Sequence, residues 1–341
     1  MRAIASKLAL VAVSSLFALG LIEVVSRFAQ PVSPGTRTLS LAGETIDAVM
    51  ESRFRHKAEL IFRQVSDEFE ALVTIDKFGN RIPEPLGNPS VIFLGDSFTF
   101  GHGLNDEETF VALYCAHTGL SCVNMGRSGS GTLVQLDVLV HYLETEGWRP
   151  EKVMLFVLAM TATLASGNDL LDNYYYARVQ EVKATAENAE VAEQAVQEVK
   201  APFHVDIWLK IRRWALDNIN LARIVYFRFA PNLRVLLSTP PSTDILGLAL
   251  EATRVAFDRL RKLSSRYGFE ALIYILHPVQ DIEGGTDQNT AIAIRDISGG
   301  IRVVSTADLF RGNSTSYYFA YDGHLNAHGA KRLAEFLQAT R

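Results

Sequence analysis

The sequence predicts a three-layer α/β/α fold around a five-stranded parallel sheet, and three observations support this prediction. Short, continuously apolar runs alternate with amphipathic helical patterns from residue 89 onward. Continuous apolar runs are typical of parallel strands that are buried on both faces. Polar segments rich in glycine follow several of these runs, where the strands would end. The chain has 341 residues, of which 48% are hydrophobic and 21% charged, so it can bury a large core.

The elements follow in order along the chain. The predicted strands are 91–94, 122–124, 153–158, 271–276 and 301–304, and the predicted helices are about 107–118, 132–146, 248–267 and 326–339. We expect three regions: a membrane anchor or signal peptide at 1–29, a linker and hairpin collar at 30–88, and the α/β domain at 89–341. The collar prediction rests on extended segments between 61 and 82 and on a turn at 77–80.

A helical insertion is expected at about 165–245, between the third and fourth strands of the sheet. Residues 177–200 are rich in Ala, Glu, Gln, Val and Lys, a composition typical of a solvated helix or helical hairpin. We interpret the insertion as a lid or an acceptor surface.

The amino terminus predicts export. An almost uncharged run extends from residue 8 to 25 after the basic residues Arg2 and Lys7, which favours a single-pass helix with the rest of the chain on the periplasmic, extracytoplasmic side. Glu23 is the exception within the run, and we expect it at the far membrane interface. A cleaved signal peptide and a buried core helix are the alternatives.

The net charge and the cysteine content limit the kinds of partner and bound group that we expect. A net charge of −5, with no sustained basic block, makes nucleic acid an unexpected partner. Cys115 and Cys122 could form a disulfide or remain two small buried thiols, and the sequence leaves both open. Neither cysteine has the partners of a metal site, so we expect no metal and no cofactor.

The first motif is Gly95-Asp96-Ser97, directly after the first strand of the sheet. Catalytic groups in open α/β sheets gather at the carboxyl ends of the strands, which is where Ser97 falls. We therefore predict that Ser97 is a nucleophile. The alternative is that Asp96 and Ser97 only cap a helix.

The second motif, Asp322-Gly323-His324, lies directly before the last helix. A histidine there can reach the same sheet edge and act as the general base for Ser97, while Asp322 orients its imidazole. Alternatively, Asp322 caps the last helix and His324 is an ordinary surface histidine.

Donors for an oxyanion are expected in two further segments. Backbone N–H groups could come from the glycine-rich turn at 124–131, and a side-chain amide from Asn168 in Gly167-Asn168-Asp169. A flexible loop and a plain turn are the respective alternatives.

These four blocks, in this order, resemble the SGNH/GDSL hydrolase superfamily over residues 75–341. The resemblance implies a flavodoxin-like sheet, with Ser97, Asp322 and His324 as the catalytic residues. It also implies an oxyanion hole formed by the N–H groups of Ser97 and Gly129 and the amide of Asn168. The Asp-x-His form and the amino-terminal helix are similar to a membrane-anchored bacterial subgroup, the polysaccharide O-acetyltransferases and esterases.

We therefore expect a serine esterase or O-acyl transferase, which acts on an ester of an extracytoplasmic carbohydrate through an acyl-enzyme at Ser97. Its substrate would be a small ester or a polysaccharide. The alternatives are a lipase or thioesterase for lipid esters, or a non-catalytic, membrane-tethered binding or assembly protein with the same fold.

Overall fold

The computed structural model describes residues 2–29, 36–46, 48–52, 55–159, 168–185, 214–215, 218–224 and 243–340. The chain divides into two compact units, Met1–Thr36 with Ala201–Leu237, and Arg37–Lys200 with Ser238–Arg341. The predicted border between collar and α/β domain at residue 88 does not coincide with a border between these units. Most of the predicted insertion, 186–213 and 225–242, lies outside the described residues.

The described strands and helices have the following bounds. The strands are β1 (Arg37–Leu39), β2 (Ile61–Val65), β3 (Glu70–Thr74), β4 (Val91–Gly95), β5 (Cys122–Gly126), β6 (Lys152–Leu158), β7 (Glu270–Leu276) and β8 (Arg302–Ser305). The helices are α1 (Arg2–Ala29), α2 (Ser97–Phe100), α3 (Phe110–Thr118), α4 (Thr132–Thr145), α5 (Asp169–Thr185), α6 (Asn220–Ile224), α7 (Thr243–Tyr267), α8 (Val279–Gly284), α9 (Asp287–Asp296), α10 (Ala307–Phe310) and α11 (Ala327–Ala339).

The central sheet has the order β5-β4-β6-β7-β8, and all of its neighbouring strands are parallel. The predicted five-stranded parallel sheet is therefore confirmed. From β4 the chain goes first to β5 on one side and then to β6 on the other, so the strand order reverses beside β4. In open α/β sheets, ligands bind in the crevice at the carboxyl ends of the strands at such a reversal.

Helices cover both faces of the sheet because successive side chains of each strand point in opposite directions. Ile92 and Leu94 belong to a core cluster with residues of α4 and α7, such as Leu139 and Phe257. Val91 and Phe93 belong to the opposite cluster with residues of α3 and α11. Each fully buried side chain of this size contributes about 1.5–3 kcal/mol, so both layers stabilise the sheet.

The helix predicted at 107–118 is interrupted. A 3-10 turn spans Asp106–Glu108, and α3 begins only at Phe110, because the Thr109 hydroxyl accepts the N–H of Ala112 (3.1 Å) and so caps the helix. Cys115, in the last turns of α3, and Cys122, the first residue of β5, form a disulfide with their Cα atoms 6.0 Å apart. The disulfide joins the end of α3 to the start of β5.

The collar is a three-stranded antiparallel sheet in the order β1-β2-β3. The predicted hairpin exists, but its turn lies at 66–69, where Ser66 N–H donates to the Phe69 carbonyl (2.9 Å). The predicted turn at 77–80 forms a separate turn after β3. There the Asp76 carboxylate accepts two backbone N–H groups, and Gly79 adopts a φ of 79° that favours glycine.

In the smaller unit, α1 is a continuous helix, as the apolar run predicts. The Glu23 carboxylate accepts the N–H groups of Asn220 and Leu221 at 2.8 Å each and pairs with Arg27 at 2.7 Å, so it caps the start of α6. None of the helices in the described ranges is both long enough and apolar enough to span a bilayer. The membrane anchor predicted for residues 1–29 is therefore not confirmed.

Candidate active site

Ser97 is the first residue of α2 and follows the carboxyl end of β4 after a single intervening residue, Asp96. The Asp96 carboxylate accepts the N–H of Phe98 (2.9 Å) and caps α2, which fixes the direction of the short helix. A Cβ atom on Gly95 would approach Thr99 Oγ1 to 2.1 Å, and one on Gly126 would approach the Phe100 nitrogen to 2.2 Å. Only glycine at these two positions lets α2 lie so close to the strand ends.

Asp322 and His324 lie in the turn before α11. Gly323 has a φ of 84°, in the left-handed region that favours glycine, and the turn brings the flanking side chains to the same side. The predicted alternative, in which Asp322 caps the last helix, is wrong. Asn326 caps α11, since its side-chain Oδ1 accepts the N–H groups of His328 (3.0 Å) and Gly329 (3.1 Å).

The structure brings the three predicted catalytic side chains into one chain of hydrogen bonds. His324 Nδ1 lies 2.5 Å from Asp322 Oδ1, and His324 Nε2 lies 2.6 Å from Ser97 Oγ. A carboxylate only accepts, so Nδ1 carries the proton and Nε2 accepts from the Ser97 hydroxyl. This tautomer and this geometry are those a general base needs in order to activate a serine.

The electrostatics of the site match these roles. Burial alone would raise the pKa of the Asp322 carboxyl, but the neighbouring imidazoles of His102 and His324 outweigh it and hold that pKa well below its usual range. Burial lowers the pKa of the His324 imidazole, and Asp322 offsets only part of this effect. His324 is therefore neutral and ready to accept a proton at neutral pH. Its side chain keeps 20% of its surface exposed, so a substrate can approach.

The glycine-rich turn after β5 lies beside the nucleophile. Arg127 N–H donates to the Gly95 carbonyl (2.9 Å), and the Arg127 guanidinium donates to Asn80 Oδ1 (2.7 Å), which holds the turn against the collar. Gly129 follows with a φ of 71°, and apart from its chain neighbours no residue has a heavy atom within 4 Å of the place a Cβ would occupy. The role of its N–H as an oxyanion donor stays a prediction.

Asn168 stands directly before α5 and is fully buried. Its Oδ1 accepts the N–H of Leu170 (3.2 Å), which places the amide at the start of the helix. The start of α5 lies close to the glycine-rich turn, because a Cβ on Gly131 would meet the Asp172 Cβ at 2.8 Å. The role of Asn168 in an oxyanion hole stays a prediction.

Asp96, which precedes Ser97, and Asp169, at the start of α5, are two buried carboxyl groups. Burial raises the pKa of both; the Asp96 carboxylate raises the pKa of Asp169 further, and the Asp172 carboxylate raises the pKa of both. A raised pKa favours the protonated, neutral form, so burial limits the negative charge near Ser97. This matters because a negative charge there would oppose the oxyanion that develops during acyl transfer.

The sequence motifs do not reveal the residues that support the site from the collar. Arg81 is fully buried and donates to the carbonyls of Phe100 (2.8 Å) and Gly101 (2.5 Å), at the end of α2. The Glu68 carboxylate accepts the N–H groups of Tyr321 (3.0 Å) and Asp322 (2.7 Å). No short motif marks these residues, because each acts on a backbone segment that is distant in sequence.

The sequence matches no family model and no curated protein. Among solved structures, it is similar to a carbohydrate esterase family 2 enzyme from Corynascus thermopiles (10% identity, 89% of this chain, 85% of that chain, TM-score 0.41). It is also similar to a lipase/acylhydrolase from Enterococcus faecalis (12% identity, 73% of this chain, 93% of that chain, TM-score 0.35). A third similar structure is a catalytic mutant of an acetylxylan esterase from Geobacillus stearothermophilus (13% identity, 74% of this chain, 95% of that chain, TM-score 0.36). Likeness at this level carries no argument about activity.

Proposed function

We propose that this chain is a serine esterase or O-acyl transferase that acts on a carbohydrate ester outside the cytoplasm. The observation that carries the proposal is the continuous hydrogen-bonded chain from Ser97 Oγ through His324 to Asp322. This arrangement supports nucleophilic acyl transfer. It disfavours a purely non-catalytic binding protein, because such a protein would not need the two hydrogen bonds of His324 or the tautomer that they favour.

In the proposed reaction, Ser97 Oγ attacks the ester carbonyl and its proton passes to His324 Nε2. His324 then returns that proton to the leaving alcohol, and the acyl group remains on Ser97. Water or a sugar hydroxyl next gives a proton to His324 and attacks the acyl group, and as the bond from the acyl carbon to Ser97 breaks, His324 returns that proton to Ser97 Oγ. Asp322 stays ionised throughout and stabilises the charged imidazole. Backbone N–H groups at Ser97 and Gly129, with the Asn168 amide, are the proposed oxyanion donors.

Two further features support the cellular and chemical setting. The disulfide between Cys115 and Cys122 favours an oxidising compartment, since disulfides rarely persist in the cytosol. The carbohydrate substrate is proposed from the resemblance of the Asp-x-His block to that of polysaccharide acetyltransferases and esterases. Membrane attachment through residues 1–29 is not part of the proposal.

The first experiment tests the nucleophile. The full chain is incubated with a serine-reactive fluorophosphonate, and its turnover of short-chain and long-chain esters is measured. We expect Ser97→Ala to abolish both labelling and turnover, while Ser265→Ala, an exposed serine of α7, leaves both unchanged. Undiminished labelling of the Ser97→Ala variant would overturn the proposal, and a strong preference for long acyl chains would favour the lipase alternative.

The second experiment separates hydrolysis from transfer. An acetyl ester is supplied with and without an oligosaccharide acceptor, and both free acetate and acetylated oligosaccharide are quantified by mass spectrometry. Acetyl transfer that depends on the acceptor identifies a transferase, and release of acetate alone identifies an esterase. Asn168→Ala should lower kcat in either case by about 100-fold, the typical effect of removing one oxyanion donor.

A further inference from the structure

A second imidazole lies beside the proposed catalytic acid. His102 lies two residues after the end of α2. Its Nε2 atom is 3.6 Å from Asp322 Oδ2, while His324 Nδ1 is 2.5 Å from Asp322 Oδ1. The rings of His102 and His324 lie side by side, with centroids 4.7 Å apart. Each oxygen of the Asp322 carboxylate therefore faces one imidazole.

The proton of His102 can be placed from its other neighbours. The Gly103 backbone N–H donates to Gln64 Oε1 (3.0 Å), and since an N–H can only donate, the oxygen of the Gln64 amide must be on that side. The NH₂ group of Gln64 therefore faces His102 Nδ1 (3.3 Å), which must accept. In neutral His102 the proton consequently sits on Nε2, the atom that faces Asp322.

Packing and charge hold His102 in this place. Phe69, in the turn between β2 and β3, contacts the imidazole edge-on with centroids 5.5 Å apart, and only 16% of the His102 side chain is exposed. Asp322 and His324 are titratable groups that lie against the His102 ring, and the Glu68 carboxylate holds the backbone of the Asp322 turn. The partners of His102 therefore come from the collar and from the turn before α11.

We propose that His102 is a positioning residue for the proposed reaction. It directs its Nε2–H toward Asp322 Oδ2, and the Gln64 amide fixes the tautomer that carries this proton. The inference rests on the proposed function. No proton leaves His102 during the reaction: the Ser97 proton moves to His324 Nε2, and His102 orients the carboxylate that holds His324 Nδ1–H. The distance of 3.6 Å is longer than a hydrogen bond, and such contacts often shorten when substrate binds.

The same three side chains, His102, Asp322 and His324, also offer ligand atoms close enough together to hold a metal ion. A metal would need the lone pair of His102 Nε2, yet the amide of Gln64 requires a proton on that atom. The tautomer therefore favours the positioning role over a metal site.

The experiment compares His102→Leu with His328→Leu, an exposed histidine at the start of α11. We expect His102→Leu to lower kcat roughly 10- to 100-fold with KM nearly unchanged, because the carboxylate loses the imidazole that faces its Oδ2 atom. The acid limb of kcat/KM should move to higher pH, since Asp322 would then act on His324 alone and favour its charged form. His102→Gln, whose amide offers a donor near the position of Nε2, should restore part of the activity, and His328→Leu should behave as wild type.

Histidine tautomers are measured directly by ¹⁵N NMR of the full chain with labelled imidazoles, with the His102 signal assigned from its loss in His102→Leu. A proton on Nε2 agrees with the proposal, and a proton on Nδ1 or Zn²⁺ inhibition that requires His102 overturns it. Gln64→Leu is the second variant: it should shift the tautomer and slow turnover, and unchanged values for both would also overturn the proposal.

Failure of the inference can be told apart from failure of the proposed function. If Ser97→Ala removes all activity while His102→Leu keeps wild-type kcat and pH profile, only the role of His102 is wrong. If Ser97→Ala stays active, the proposed function itself is wrong. Fluorophosphonate labelling gives a further check, since His102→Leu should slow the labelling of Ser97 without lowering its final extent.

Discussion

The change Arg81→Met tests whether the collar holds the nucleophile in place. Arg81 comes from the segment after β3 and is fully buried. Its Nε atom pairs with Asp106 Oδ1 (3.1 Å), and its two terminal nitrogens donate to the carbonyls of Phe100 (2.8 Å), Gly101 (2.5 Å) and Leu104 (2.5 Å). Methionine fills a similar length but offers no donor, so these acceptors and the Asp106 charge would lose their partner.

The expected loss of stability follows from these contacts. Removing one partner of a buried ion pair typically costs about 3–5 kcal/mol, because the remaining charge is left without compensation. For a domain of this size, that corresponds to a fall in Tm of roughly 2 °C per kcal/mol, or about 6–10 °C in all. Since the freed carbonyls belong to the end of α2, we also expect Ser97 to lose its fixed orientation and kcat to fall.

Thermal unfolding and ester turnover are measured for Arg81→Met and for Arg63→Met. Arg63 lies on β2 and pairs with the exposed Glu70, so its loss should cost less than about 1 kcal/mol. The double variant Arg81→Met with Asp106→Leu should recover part of the stability, because it removes the unpaired charge. Equal costs for Arg81→Met and Arg63→Met would refute the reasoning.

Three further predictions concern the site and its frame. Because burial lowers the pKa of His324, the base stays unprotonated to a lower pH, and kcat/KM should fall only below about pH 6.5, the ordinary histidine value; an acid limb above it would contradict the lowered pKa. Glu68→Ala leaves backbone N–H groups at Asp322 without their acceptor, and steady-state kinetics should show kcat lowered about tenfold. The variant with both Cys115→Ser and Cys122→Ser should unfold in urea with about 2–3 kcal/mol less stability than wild type, a loss that reductant should reproduce in the wild type and not in the variant.

Much of the fold follows from local sequence patterns. The continuous apolar runs predict the five strands of the central sheet to within a few residues, because most side chains of a strand buried on both faces are apolar. The collar hairpin is less well predicted. Its turn lies at 66–69 rather than 77–80, since both segments carry turn-forming residues and only pairing between β2 and β3 decides which one closes the hairpin.

The residues of the site also differ in how far the sequence reveals them. Ser97, Asp322 and His324 are recognisable from the sequence because each stands at the end of a predicted strand or before a predicted helix, and the sheet brings such positions to one edge. Gly129 and Asn168 remain predictions, as does the resemblance to the SGNH/GDSL hydrolases.

The sequence by itself determined the class of the sheet, the order of the motifs and the three side chains of the hydrogen-bonded chain, Ser97, His324 and Asp322. The tertiary structure decided that Cys115 and Cys122 are joined, and that the collar supplies Arg81 and Glu68 to the site. The physical reason is that a strand or a motif depends on neighbours along the chain. A buried guanidinium or a capping carboxylate, in contrast, is satisfied by backbone groups that only folding brings near, and no local pattern records them.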